Sequence, residues 1–190
     1  MSLEARITPI WKRQKLFMAL FLIAMGGWFF WDGKVGYPRT NERYEKWAEF
    51  RNNGALQDWP AYAKTRGWVE KPPEHPYTQH QITGQFIYGS LAGISGLLVL
   101  GYWWSQKGRV LRADDEAVTT PSGTRVPFSA INGLGLKKWD SKGIARVRYQ
   151  IAGRTGEFVI DDYKFDTAPS RELLEEIKRR LAAHTSEETA

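Results

Sequence analysis

The chain of 190 residues is 42% hydrophobic and has a formal net charge of +6, from 27 basic and 21 acidic side chains. This composition excludes a disordered or low-complexity chain and suits one compact domain with additional segments. Because these residues include no cysteine, they exclude a disulfide framework, a thiolate metal site and a cysteine nucleophile.

The first predicted element is an apolar helix over residues 16–31, which read LFMALFLIAMGGWFFW without a charge. At the helical rise this run extends about 24 Å, which nearly crosses a hydrocarbon layer of about 30 Å. Basic residues precede the run and would reach the headgroups on one side, while its last tryptophans suit the opposite interface. These basic residues are Lys12, Arg13 and Lys15. We expect the helix to begin near Thr8 and to end at Asp32 and Gly33.

A cleaved signal peptide is the alternative for this run, because Ala24 and Gly26 form a weak small-x-small cleavage pattern after the basic residues. Cleavage there would leave the aromatic residues that follow at a new amino terminus, exposed to water. We therefore favour a retained transmembrane helix within residues 1–33.

Residues 34–78 form the predicted loop between two spans, and their aromatic content is too high for a slack tether. TNERYEKWAEFRNNG is typical of a short helix that begins at Thr40 and ends near Gly54. DWPAYAKTRG is typical of another, which begins at Asp58 and ends at Gly67. The proline-rich KPPEHPY then predicts a stiff, extended return to the second span.

The aromatic side chains of this loop are its candidate interaction residues. They are Tyr44, Trp47, Phe50, Trp59 and Trp68. The first three recur at helical spacing and would form an apolar face, which the loop's own second helix, the outer interface of the membrane or another subunit could cover. We favour a self-packed helical cap that rests on the membrane, with a partner-binding surface and a ligand pocket as alternatives.

Residues 86–104, FIYGSLAGISGLLVLGYWW, form a second uncharged run, which is long enough to span a membrane. Thr78 and Gln81 match a capping box that would begin this helix in the interface, and we assign the span to residues 79–106. Small residues on both spans would let the helix backbones approach closely, as helices do in lipid. The candidate packing residues are Gly26, Gly27, Gly89, Gly93 and Gly96. The alternative is that glycine is simply common in membrane helices.

The basic residues around the second span predict its orientation. Only Lys71 lies shortly before this span, whereas Lys107, Arg109 and Arg112 follow it at once. The carboxyl-terminal side is therefore expected in the cytoplasm. Two spans then place both termini in the cytoplasm and the loop on the exoplasmic or periplasmic side of the cytoplasmic (inner) membrane.

From about Gly108 a period-two pattern replaces the helical one and predicts an antiparallel domain over residues 107–190. The candidate strands are RVLRA, EAVTT, TRVPF, GLGLKKW, IARVRYQIA and GEFVID. An apolar stripe then indicates a terminal helix that begins near Thr167, Pro169 or Ser170. The stripe consists of Leu173, Leu174, Ile177 and Leu181. The expected fold class is an α+β membrane protein, with two transmembrane helices and a small antiparallel β-barrel or curved sheet that the terminal helix covers.

Two spans followed by RADDEAVTTPSGTRVPFSAINGLGLKKWDSKG and a terminal helix resemble the bacterial pleckstrin-homology-like (PH-like) domains that are attached to membrane helices. The resemblance covers roughly residues 109–184 and lies in the strand order, with a polar strand pair at VPFSAI and then a long hairpin. It implies a seven-stranded curved sheet capped by a helix, and a scaffold or interaction role. The outer loop has no counterpart in this pattern.

The stretch LKKWDSKG contains the candidate residues for contact with lipid headgroups. They are Lys137, Lys138, Trp139 and Lys142. Each basic residue near anionic lipid contributes about 1 kcal/mol, so this stretch could orient the domain on a membrane. The alternatives are that Trp139 packs on the sheet while the lysines are solvated, or that the stretch binds a protein partner.

No catalytic site, metal site or cofactor is expected from these residues. Two acidic clusters, at residues 114–116 and 161–166, belong to turns and strand ends, because adjacent strand residues point to opposite faces. The serines lack the context of a nucleophile elbow. The histidines are scattered and do not form the helical pair of a metalloprotease. They are His75, His80 and His184.

The function expected from this organisation is that of a noncatalytic membrane scaffold or accessory subunit, which uses its PH-like domain for protein interaction. The alternative is a membrane-surface sensor that binds anionic lipid or a peptide. The expected partners are the lipid bilayer and other membrane-protein subunits, with anionic lipid as the partner of the alternative function. The net charge would also suit nucleic acid, but two spans make that partner unexpected.

Overall fold

The computed structural model describes the backbone of residues 2–188 and the side chains of residues 2–183. Within this range the chain divides into two compact units. The terminal unit combines the described parts of residues 1–15 and 103–190, and the helical unit consists of residues 16–102. His184, one of the three histidines considered above, has its side chain outside the described part.

The elements from the amino terminus to the end of the second apolar helix are mostly helical. After the strand β1, Leu3–Arg6, they are α1, Pro9–Trp31; a π-helical segment, Asp32–Gly36; α2, Tyr37–Asn52; a 3-10 turn, Leu56–Asp58; α3, Trp59–Thr65; and α4, Gln79–Ser105. The helical segments Pro9–Asn52 and Gln79–Ser105 are long and apolar enough to cross a membrane. The expectation of two such helices is confirmed.

The α-helix α1 ends at Trp31, beside the predicted stop at Asp32 and Gly33, but the chain does not leave the helical conformation there, and α2 begins at Tyr37 rather than at Thr40. The chain instead passes through the π-helical segment and continues as α2 to Asn52. Gly33 is buried, and a Cβ there would lie 3.1 Å from the Cβ of Gln85, so this glycine serves close packing rather than termination. The hydroxyl of Thr40 donates to the carbonyl of Gly36 within the helix. A π-helical turn of this kind inserts extra residues without breaking the helix.

The other predicted helix boundaries agree with the structure. Gly54 and Gly67 follow α2 and α3 with φ angles of 69° and 65°, in the left-handed region that glycine tolerates. Before α4, the backbone N–H of Thr78 donates to the Gln81 side chain over 2.8 Å, and the Gln81 N–H donates back to the Thr78 hydroxyl. This is the reciprocal capping box that the sequence predicted.

The terminal unit contains two antiparallel sheets. After α4 the elements are β2, Val110–Ala113; β3, Ala117–Thr119; β4, Arg125–Pro127; a 3-10 turn, Phe128–Ala130; β5, Ile131–Lys138; the short helix α5, Trp139–Lys142; β6, Ile144–Ile151; β7, Arg154–Asp161; and α6, Thr167–Glu188. One sheet has the order β1-β2-β3-β4 and the other β5-β6-β7. The six predicted strands and the terminal helix are confirmed, but the sheets remain two open sheets and do not close into a barrel.

The strand β1 was not predicted. It pairs with β2 from Leu3 opposite Ala113 to Arg6 opposite Val110. Its apolar side chains alternate with the polar Glu4 and Arg6, and Ala5 is buried. The alternation in LEARI was the sequence signal, and the long helix that follows masked it.

The core of the terminal unit lies where the two sheets and α6 meet. Strand residues such as Leu111, Val147 and Ile160 are fully buried, and α6 contributes the buried Leu173, Leu174 and Ile177. The predicted stripe of α6 therefore packs on the sheets, with Leu181 partly buried beside it.

Candidate functional site

The two apolar helices meet at a glycine seam, formed by Gly26 of α1 with Gly89, Gly93 and Gly96 of α4. A Cβ added to Gly26 would lie 2.9 Å from the carbonyl oxygen of Gly89 and from the amide nitrogen of Gly93. A Cβ added to Gly96 would lie 2.9 Å from the carbonyl oxygen of Ala19. Because the obstructing atoms belong to the backbone, larger side chains would push the helices apart.

Not every predicted packing glycine needs the absence of a side chain. A Cβ added to Gly27 or to Gly93 would meet no described atom within 4 Å. Gly93 nevertheless places its backbone against Gly26, whereas Gly27 lies away from the seam.

The aromatic residues between the two apolar segments pack mainly on one another. Phe50, Trp59, Tyr62 and Trp68 form an aromatic cluster with ring centroids 5.1–6.2 Å apart. Trp59 is 3% exposed, and its indole N–H donates to the carbonyl of Glu70 over 2.7 Å. This arrangement agrees with a self-packed helical cap.

Tyr44 and Trp47 lie apart from the aromatic cluster, although the sequence grouped them with it. Their rings pack on each other at 5.7 Å, and the guanidinium of Arg51 lies 4.9 Å from the Trp47 ring. Asn41 on α2 holds the return segment, because its amide accepts from the Tyr77 N–H and donates to the Tyr77 carbonyl.

An arginine cavity of about 630 Å³ opens beside this cap and was not predicted. It is lined by Arg39 and Arg43 of α2 and by Arg66, which follows α3. Glu42 also lines the cavity and accepts from Arg66 over 3.3 Å. The signal available in the sequence was the four-residue spacing of Arg39 and Arg43, which puts both on one face of a helix.

In the terminal unit, tryptophans and lysines meet where α1 begins and α4 ends. We call this group, which consists of Trp11, Trp103, Trp104, Lys107 and Lys164, the collar. The ammonium of Lys107 lies 3.7 Å from the centroid of the Trp104 ring, and that of Lys164 lies 5.2 Å from the buried Trp11. Lys164 also donates to the side-chain oxygen of Gln106 over 2.8 Å, and burial lowers the pKa of its ammonium group. Aromatic and basic side chains in such a group are typical of a membrane interface.

The lysine stretch comprises the end of β5, with Lys137 and Lys138, and the short helix α5 that leads to β6. Lys137, Lys138 and Lys142 are exposed, whereas Trp139 is partly buried against the core of the terminal unit. Trp139 thus packs on the sheet, as one of the alternatives required, and headgroup contact by the lysines stays a prediction.

The acidic clusters stabilise turns. Asp114 accepts from the N–H groups of Glu116 and Ala117 and from the guanidinium of Arg125. The two backbone N–H groups, and after them Arg125, lower the pKa of the Asp114 carboxyl to about 2. Asp161 accepts from the N–H groups of Tyr163 and Lys164 in the same manner.

The second acidic cluster also joins distant parts of the terminal unit. Asp162 accepts from Arg171 on α6, and Asp166 accepts from the backbone N–H of Arg6 in β1. Among the described residues no group of three His, Asp or Glu side chains is placed to hold a metal ion.

Glu176 is a buried acid that sequence analysis missed. It is 7% exposed and accepts from Arg180 over 2.6 Å and from Arg179. The hydrogen bond from Arg180 lowers the pKa of the Glu176 carboxyl, against the opposing effect of burial. The guanidinium of Arg180 lies 4.1 Å from the Phe128 ring centroid and so packs α6 against the turn after β4, while Glu176 holds Arg180 in place. The four-residue spacing of Glu176 and Arg180 was the signal in the sequence for this pair.

Comparison with protein-family models, with curated proteins and with solved structures finds no match for this chain.

Proposed function

We propose that this chain is an integral membrane protein with two spans, and that it acts as a noncatalytic scaffold or accessory subunit of a larger membrane assembly. The observation that carries the proposal is the exposure of the apolar helices. In the most apolar stretch of each helical segment, only 17% and 11% is buried by the protein. Phe17, Leu91 and Leu98 are 60–71% exposed. A core helix of a soluble protein would be mostly covered, whereas lipid covers such a surface without cost.

The pairing of β1 supports a retained first span. Cleavage after the small residues Ala24 and Gly26 would remove β1 from its sheet, and with it the buried Ala5, Ile7 and Trp11. A signal peptide does not normally supply a strand to the mature domain.

The same pairing supports a topology with both termini on one side. The chain leaves the terminal unit through α1 and returns to it through α4. An even number of spans is what this connection requires. The basic residues after α4 favour a cytoplasmic terminal unit, with residues 34–78 on the exoplasmic side of the cytoplasmic membrane.

The terminal unit supports an interaction role. Two antiparallel sheets of four and three strands, followed by α6, agree with the PH-like resemblance, in which β1 would supply the first of seven strands. In the two acidic clusters, Asp114, Asp161 and Asp162 are occupied in turns and an ion pair, which supports a structural role for them. Exposed surfaces of this unit and of the spans would hold partner subunits.

The second candidate is a membrane-surface sensor that binds anionic lipid or a peptide. The collar favours it, because Lys107 lies over the rings of Trp103 and Trp104 at 4.5 and 3.7 Å. The exposed lysines at the end of β5 and in α5 would add attraction to an anionic surface.

Extraction in a mild detergent distinguishes the two candidates. A scaffold or accessory subunit should migrate with other proteins in a stoichiometric complex during native electrophoresis. A lone small particle that binds liposomes of anionic phospholipid, but not liposomes of phosphatidylcholine, would contradict the subunit role and favour the sensor.

A further inference from the structure

We infer that the arginine cavity is a binding site for a phosphate group. Its volume of about 630 Å³ falls in the range of small-molecule sites. Three arginines line it, Arg39, Arg43 and Arg66. Arginine presents its N–H donors in a planar fork, which matches phosphate oxygens better than a lysine ammonium does.

The buried donor of Arg43 is the strongest single observation. Its Nε is buried and has no hydrogen-bond acceptor among the described residues. A buried donor of a charged group is unfavourable unless it is paired, and native structures rarely leave one unpaired. Because this Nε is covered by protein, a rotation of the Arg43 side chain into the cavity would be needed to pair it with a ligand oxygen, and such a pairing would remove the unsatisfied donor.

The charge of the cavity favours phosphate over a single carboxylate. Three arginines and one acidic residue, Glu42, line the cavity, and Glu42 accepts from Arg66 over 3.3 Å. Arg39 and Arg43 stand four residues apart on α2, so they repel each other along the helix. A phosphate monoester carries a charge of about −1.5 to −2 near neutral pH and would balance this excess.

The arginine cavity lies in the helical unit, beside the aromatic cluster, and not on the terminal unit. The guanidinium of Arg66 also lies 5.4 Å from the Trp68 ring, whose partners in the aromatic cluster are fixed. The cap therefore holds Arg66 beside α2 without any ligand. The phosphate could come from a soluble phosphate compound or from the headgroup of a phospholipid, and the inference does not depend on the scaffold role.

The test uses the full chain in a neutral detergent and measures its thermal unfolding midpoint in inorganic phosphate and in chloride at equal ionic strength. A saturable rise in phosphate is expected, because a ligand that binds only the folded state stabilises it. Arg43→Gln and Arg66→Gln should each weaken the apparent affinity about tenfold or more, by loss of charge-assisted hydrogen bonds. Glu42→Gln should strengthen it, since one repelling charge is removed.

Arg51→Gln is the matched control, because Arg51 lies on the same helix but against Trp47 and outside the cavity. It should bind phosphate as the unaltered chain does. If Arg43→Gln fails to fold, as judged by circular dichroism, Arg66→Gln decides, because its side chain is half exposed.

A second arm identifies the source of the phosphate. Nanodiscs of phosphatidylcholine with and without phosphatidic acid replace the detergent, and the same variants are compared. Stabilisation by phosphatidic acid alone, lost in Arg43→Gln and Arg66→Gln, assigns the site to a lipid headgroup. Equal behaviour of the unaltered chain and these two variants in both arms would overturn the inference.

Discussion

Asp114 shows how one side chain fixes the turn between β2 and β3. Its carboxylate accepts from two backbone N–H groups over 2.8 and 2.9 Å and from Arg125 over 2.7 Å. These bonds require the ionised form, and for that reason they depress the pKa of the carboxyl group from 3.8 to about 2. The ionised Asp114 therefore stabilises the fold at any pH above the ordinary pKa of the group. This stabilisation is lost as the pH falls toward 2.

We expect Asp114→Asn to lower the thermal unfolding midpoint of the terminal unit at pH 7. The difference from the unaltered chain should shrink between about pH 4 and about pH 2, where Asp114 itself becomes protonated. Thermal melts followed by circular dichroism across this range measure the effect. Asp140→Asn, which removes an exposed carboxylate from α5, serves as the control. A difference that stays constant with pH would contradict the role of the ionised carboxylate.

Among the elements, β1 depends on a few buried side chains. Ile7 follows the strand, is 3% exposed, and bridges to Phe165 before α6. Ile7→Ala should destabilise the terminal unit by about 2–5 kcal/mol, as truncations in a packed core do. The matched change Ile10→Ala, at a residue that is 64% exposed, should have little effect in detergent. Hydrogen exchange of the β2 amides reports the pairing, and unchanged protection in Ile7→Ala would show that β1 does not hold this edge.

The glycine seam makes a second prediction at the scale of elements. In Gly96→Ala the new Cβ would meet the Ala19 carbonyl at 2.9 Å, so the helices must separate at a cost of about 1–3 kcal/mol. In Gly27→Ala the Cβ meets no described atom within 4 Å, and alanine is the better helix former by about 1 kcal/mol. Thermal unfolding in detergent should therefore show a loss for Gly96→Ala and no loss for Gly27→Ala. Equal effects would place the seam elsewhere.

These elements show what the sequence could predict. A largely alternating pattern identified β6, because one face of that strand is buried, and uncharged length identified both apolar helices. The continuation of α1 into α2 was not predictable, because Asp32 and Gly33 are typical of helix ends. The glycine at position 33 is instead explained by its close packing against Gln85. The arginine cavity requires α2 to meet the turn after α3, and the spacing of Arg39 and Arg43 indicates only the α2 side of it, because the long-range contact with Arg66 leaves no local pattern.

At the scale of the whole molecule, the sheet of the terminal unit connects the two ends of the chain. Because β1 lies before α1 and β2 after α4, the sheet cannot form until both apolar helices have been made. If both helices span a membrane, residues before the first span and after the second must share one compartment. The basic residues predicted that both termini share the cytoplasm. The strand β1, which joins the two ends by pairing with β2, was not predicted.

The absence of cysteine permits the most direct test of the two spans by single-cysteine labelling. Asn53→Cys lies in the cap, and Ser2→Cys and Ser141→Cys lie at exposed positions of the terminal unit. In sealed inside-out vesicles of the cytoplasmic membrane, a maleimide that cannot cross the bilayer should label Ser2→Cys and Ser141→Cys at once, and Asn53→Cys only after detergent is added. Equal labelling at all three positions in sealed vesicles, or a protein that stays in the supernatant after ultracentrifugation without detergent, would contradict the two spans.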